Sequence, residues 1–214
     1  MSFLRKIISQ GGFASPGWTR QNRAGLSLIE GIIALAVVVT GVTAGLTLTS
    51  YNLTSAVASE GRLVAVNLAR EGIEVIRNLR DTNWLAGNPW DNGITVPGFY
   101  RLTVNFDESA NQWTAQTQAA GIDSCAACQI YFDAAAGIYS HNLAPEVTPY
   151  KRLITLREIC WQEVLGEPAV LAAGQNCSDF GQELVGWEVI SEVTWHEASR
   201  PHNLKVIDRL YDWR

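Results

Sequence analysis

Residues 23–49 decide the fold. They read Arg23-Ala24-Gly25-Leu26-Ser27-Leu28-Ile29-Glu30 and then, from Gly31 to Thr49, GIIALAVVVTGVTAGLTLT. The second part carries no charge and is about as long as a helix must be to cross the hydrocarbon core of a bilayer. Ahead of it, the first 25 residues hold Arg5, Lys6, Arg20 and Arg23 and no acid, a charge of +4; the whole chain is −5, which leaves −9 on residues 26–214. Positive charge before an apolar run holds that end in the cytoplasm and sends the acidic remainder across. An acidic remainder without a basic run argues against nucleic acid as the main partner.

A secretory signal also begins basic and turns apolar, and Ala56-Val57-Ala58 has the composition of a signal cleavage site. The apolar run is longer than a signal core, however, and the helical pattern continues through that site. The run therefore reads as an anchor that stays. Gly41 and Gly45 form a Gly-x-x-x-Gly within it, a spacing that lets a second membrane helix approach closely; glycine is also simply frequent in membrane helices.

Glu30 is the residue that needs a reason. A charge at mid-bilayer costs roughly 2.5–3.5 kcal/mol on insertion scales, less near the surface, and such groups usually have a partner. The plain alternative places Glu30 at headgroup level, favoured by the positive end of the helix dipole.

Gly25 followed by Leu26-Ser27-Leu28-Ile29-Glu30, at a basic-to-apolar junction, resembles the cleavage and methylation motif of type IV prepilins and type II secretion pseudopilins. The resemblance implies a cut between Gly25 and Leu26 by a prepilin peptidase on the cytoplasmic face, and methylation of the new Leu26 amine by the same enzyme. It implies that Glu30 neutralises the first-residue amine of a neighbouring subunit, a sensible arrangement because a buried carboxylate becomes tolerable beside a cation. It departs from many major pilins in having Leu26 rather than Phe at the first mature position and Thr47 where a helix-breaking Pro is common.

Past Thr49 the pattern stays helical to about Arg80: Leu68, Gly72, Val75, Ile76 and Leu79 fall on one face, and Glu74 can pair with Arg70 or Arg77 on another. A continuous helix over 26–80 would be roughly 80 Å long. The texture then changes. Asn88-Pro89 and Asp91-Asn92-Gly93 mark a loop. Strands are expected over 99–106, 129–132, 137–141, 151–161, 187–197 and 203–213, with a loop over 166–186 and a turn over 198–202 joining the last two strands into a hairpin. The fold class is α+β: a long membrane-spanning helix packed on a C-terminal antiparallel sheet, a layout similar to pilins. Its parts are a leader (1–25), a transmembrane and assembly half of the helix (26–54), an amphipathic half (55–81) and a β-rich head outside the membrane (82–214).

Cys125, Cys128, Cys160 and Cys177 all lie in the head, and an even count fits an oxidising compartment. Three pairings are possible; the favoured one joins Cys160 to Cys177 and closes Cys125–Cys128 as a small loop. Cys125-x-x-Cys128 has the spacing of half a zinc site or a redox pair, but no second pair of ligands stands at matching distance. His141, His196 and His202 have no ligand spacing, and Asp91-Asn92-Gly93 lacks the further acids of a calcium loop. Asn52-Leu53-Thr54 and Asn176-Cys177-Ser178 match glycosylation acceptors, a triplet common by chance. No Ser-His-Asp set, phosphate loop or zinc-protease helix is visible. Most of the eight tryptophans suit core and interface, and a few exposed ones would suit adhesion. The expectation is a non-enzymatic subunit without cofactor or metal, a minor pilin or pseudopilin. Its partners would be the peptidase, like subunits, an inner-membrane assembly platform and the bilayer. The rival reading is a tethered adhesion or binding protein that never polymerises. A tethered hydrolase would require a deep pocket with convergent polar groups.

Overall fold

A computed structural model describes residue 25 and residues 27–94, 98–107, 109–135, 137–142, 144–197 and 199–212. The chain divides into two compact units, one ending at Tyr51 and one from Asn52 to Arg214. Helix α1 (Leu28–Ala86) contributes to both.

In the first unit α1 begins where Ser27 accepts a backbone bond from Gly31 at 3.1 Å. Its apolar side chains, from Leu28 through Val42 and Leu46 to Tyr51, are exposed. The helix is long and apolar enough to cross a membrane. Its hydroxyls are satisfied from within: Thr40, Thr43, Thr47 and Thr49 donate to the carbonyls of Ala36, Val39, Thr43 and Gly45 at 2.8–3.0 Å. A threonine that bonds the preceding turn carries no unmet donor, so four of them in this run do not forfeit its compatibility with lipid.

In the second unit α1 packs one face on an antiparallel sheet of eight strands: β1 (Arg101–Asp107), β2 (Gln112–Thr117), β3 (Gln129–Asp133), β4 (Ile138–Ser140), β5 (Glu146–Gln162), β6 (Glu167–Val170), β7 (Glu183–Glu197) and β8 (Arg200–Tyr211). The helix buries Leu68, Gly72, Val75 and Ile76, the face read from the sequence, and adds Ala65, Ala69 and Ile73. They meet Ile154 and Leu156 of β5 and Trp187, Val189 and Val193 of β7 in two apolar clusters. Gly72 lets the sheet come close, because a Cβ there would stand 2.8 Å from Ser191 Oγ and 3.2 Å from Ile154 Cδ1. Outside this face Glu74 pairs with Arg77, which also reaches Asp208 of β8 at 2.5 Å. Arg70 forms no such pair among the described residues.

Helix α1 runs on to Ala86, six residues past its expected end. Trp84 is buried there under the Arg80 guanidinium, 4.5 Å from its ring centre. Gly87, at φ +74°, then closes the helix: its N–H bonds Trp84 O and that of Asn88 bonds Asn83 O, the paired bonds of a glycine C-cap. The border expected at 81/82 therefore falls inside a helical turn.

Strand β5 is the organiser. One edge carries β7 from Lys151 to Trp161, and β8 continues beyond β7 in unbroken register from Gly186↔Tyr211 to Glu197↔Arg200. The turn between them is thus two residues, tighter than the expected 198–202, and Ser199 takes φ +67°. Three strands share the other edge in series: β3 against its start, β1 only at Ile154 and Thr155, and β6 against Ile159–Gln162. The loop expected over 166–186 accordingly contains strand β6 and a short 3₁₀ turn, Cys177–Phe180. Both faces of β5 are covered, since Leu153 packs away from the helix against Ile122, Cys125 and Cys128.

Cys160 is bonded to Cys177 and Cys125 to Cys128. The first bridge ties β5 to the 3₁₀ turn across a separation of 17 residues and should restrict the unfolded chain far more than the second, across 3. Replacing Cys160 and Cys177 together by alanine is expected to lower unfolding free energy by about 3 kcal/mol. Equilibrium urea denaturation of the oxidised proteins would check this, and unchanged midpoint and slope would refute it.

Candidate functional site: the exposed start of the helix

Of the residues singled out at the junction, Glu30 lies in α1 and Gly25 precedes it. Gly25 and Ser27 are exposed, Leu26 lies outside the described residues, and Glu30 sits on the first helical turn, exposed among Leu28, Ile29, Ile32 and Ile33. No other acid or base follows in the helix until Glu60. An exposed apolar helix surface of this extent needs lipid or protein to cover it, and the one carboxylate on it is set at its very beginning. Beyond its own helical turns, a Cβ placed on Gly41 or Gly45 would meet no atom of the described residues within 4 Å, so packing among them does not account for these glycines.

The structure adds a reading that charge and hydropathy alone did not supply. Ser27-Leu28-Ile29-Glu30 has the spacing of a capping box, with Ser27 at the N-cap and Glu30 three residues on. A carboxylate there is favoured by the free backbone N–H groups and the positive end of the dipole. Glu30 therefore stands where a capping-box carboxylate stands, and the S-x-x-E spacing is the signal for it.

The remaining candidates lie in the second unit and do not converge. Glu158, Cys160 and Cys177 form a compact trio, but both sulfurs are spent in the disulfide, and Glu158 accepts the Cys177 N–H at 2.6 Å. Burial raises the Glu158 pKa. His202 stacks on Trp195 with ring centres 5.1 Å apart, His196 is exposed, and His141, just after β4, has its ring nitrogen Nδ1 on Gln129 O of β3 and its Nε2 buried. Asp91-Asn92-Gly93 is a turn, with Asn92 N bonding Pro89 O and Ile94 N bonding Asp91 O, held to the helix end by the Asn83 amide. Asn176 is occupied as the cap of the 3₁₀ turn and Asn52 lies in α1. A cleft of about 1050 Å³ does open in this unit, lined by polar and aromatic groups. Neither histidine nor cysteine is among its described lining residues.

No protein-family model matches the chain, and no curated protein or solved structure is significantly similar to it.

Proposed function

We propose that the chain is a minor-pilin-like or pseudopilin-like subunit of a type IV pilus or a type II secretion-like filament. One observation carries this reading: a single carboxylate, Glu30, on the first turn of a helix whose next charged residue is Glu60 and whose apolar first stretch is uncovered, five residues after a glycine that ends a basic segment. The precursor would sit in the inner membrane with residues 1–25 in the cytoplasm and the sheet outside. Cleavage after Gly25 leaves the apolar helix as anchor. The same surface that faces lipid before assembly faces neighbouring helices afterwards, and Glu30 meets the methylated amine of the next subunit. Charge cancellation in that dry setting is what would draw the subunit from membrane into filament. Disulfides suit the oxidising side of the membrane.

The test is direct. Gly25→Ala, expressed with the peptidase, is expected to leave the precursor uncut, visible as a slower band retaining Met1; normal processing would reject the motif assignment. A tether that does not polymerise is the second reading, favoured by the capping-box spacing, which gives Glu30 a purpose without any neighbour. Glu30→Ala separates the two. A filament subunit is expected to be cut yet lose most of its incorporation into sheared filaments, whereas incorporation at the native level would sink the role of Glu30 in assembly.

A further inference from the structure

The β1–β2 and β3–β4 hairpins leave the same edge of β5 side by side and diverge, because β1 pairs with β5 only at Arg101 and Leu102. The cleft of about 1050 Å³ lies in this fork. We propose that it binds a neutral oligosaccharide. This concerns the second unit alone and holds whether or not the subunit polymerises.

The lining decides the chemistry. Among its described residues there is no lysine, arginine or histidine, while Glu71, Asp107 and Asp133 contribute carboxylates. Phosphate, sulfate and carboxylate ligands are therefore repelled. A cation is the rival ligand, tested below with tetralysine: each carboxylate has a partner, but of the described partners only that of Glu71 is itself charged. Glu71 faces the buried Arg152 guanidinium at 3.4 Å. Asp107 Oδ1 accepts the Ser109 N–H and hydroxyl and the Ala110 N–H at 2.6–3.2 Å, contacts that also lower its pKa. Asp133 Oδ1 accepts the Ala135 N–H at 2.8 Å.

What remains uncommitted is neutral. Asn105 accepts the His141 N–H through Oδ1, which leaves its NH₂ to donate. The Trp113 indole N–H, the Tyr139 hydroxyl and the amides of Gln116 and Asn142 have no protein partner among the described residues. Together they offer donors and acceptors of the kind that sugar hydroxyls exchange. Phe106 and Trp113 meet at 66° with centres 5.3 Å apart. In such an edge-to-face pair the ring that offers its edge turns neither face to its partner, and a π face suits the C–H side of a pyranose. The volume is at the upper end for small-ligand pockets, which favours several linked sugars over one.

The experiment uses the full chain in lipid nanodiscs, since sugar-headed detergents would compete. An array of neutral, sialylated and sulfated oligosaccharides is screened, and hits and a tetralysine peptide are titrated calorimetrically. Saturable binding of at least one neutral oligosaccharide is expected, weakened about tenfold or more by Trp113→Ala. Gln116→Ala, at an exposed position that does not support the fold, is expected to weaken it roughly three- to tenfold. No neutral ligand on the array, binding of sulfated sugars or tetralysine alone, or neutral binding untouched by both substitutions would each overturn the proposal.

Discussion

Arg152→Ala is expected to destabilise the second unit by about 3–5 kcal/mol, and Arg152→Met by about 2 kcal/mol less than that. Arg152 lies mid-β5, its side chain 2% exposed, beneath the helix. Its Nη1 donates to Leu68 O of α1 at 3.0 Å and its Nη2 to Val104 O of β1 at 3.5 Å. The Val104 contact follows from the fork. Tyr100 O bonds Leu156 N of β5, so alternate carbonyls of β1 face the same way, and Val104 O faces an edge that β5 no longer covers. The guanidinium stands in for the missing strand. The arrangement is expensive: burial pulls the Arg152 pKa down, Glu71 restores only part of it, and Nε has no hydrogen-bond partner among the described residues.

Alanine would leave a cavity and unpartnered backbone carbonyls, which is why the loss should be large. Methionine leaves the same carbonyls unpartnered but fills most of the volume, so only the cavity part of the loss is recovered. Denaturation midpoints of the three proteins in urea distinguish these cases. Equal losses for alanine and methionine would mean that the charge itself, not the filled space, holds helix to sheet.

The sequence displayed those parts of the fold whose pattern is local. The helix face from Leu68 to Ile76 and the β7 row Trp187, Val189, Ser191, Val193 and Trp195 are periodic, and all of these named residues are buried on the helix–sheet interface. Strands β2 and β6 gave no such pattern. Gln112–Thr117 is polar and lies at a sheet edge, and Glu167–Val170 contains Pro168, which cannot donate to a ladder and is tolerated because β6 is also an edge. The helix end was legible in principle, since Gly87 followed by Pro89 is a stop signal, but the change to turn-forming residues drew the expected boundary earlier. Of the candidate sites, Glu30 is local and visible in the chain. The cleft is not: Asn105, Trp113 and Asn142 come together only because two hairpins share one edge of β5, a non-local outcome that no spacing encodes.

The second large effect is acid sensitivity centred on His141. Burial is the main cause that lowers its pKa, to about 3, and the nearby Arg152 charge adds to it; backbone carbonyls at Gln129 and Ala127 oppose this without cancelling it. The ring donates through Nδ1 to Gln129 O at 3.1 Å, and its other nitrogen is buried without a hydrogen bond among the described residues. In the unfolded chain the same ring takes a proton near 6.5. As pH falls below about 6.5 the proton therefore goes to the unfolded state first, and stability drops by roughly 1.4 kcal/mol per pH unit until the folded ring also titrates near 3. Between pH 6.5 and 4.5 the expected loss from this residue is about 2–3 kcal/mol. His141→Asn keeps a donor for Gln129 O and cannot titrate, so its stability should fall less over that interval. Carboxylates such as Glu158 and Asp107 are common to both proteins and drop out of the difference. Parallel pH profiles for the two proteins would show that His141 is not held neutral. Arg152→Met supplies the cross-check. Without that charge the folded ring protonates more readily, so the acid loss should shrink but persist, because burial is the larger cause.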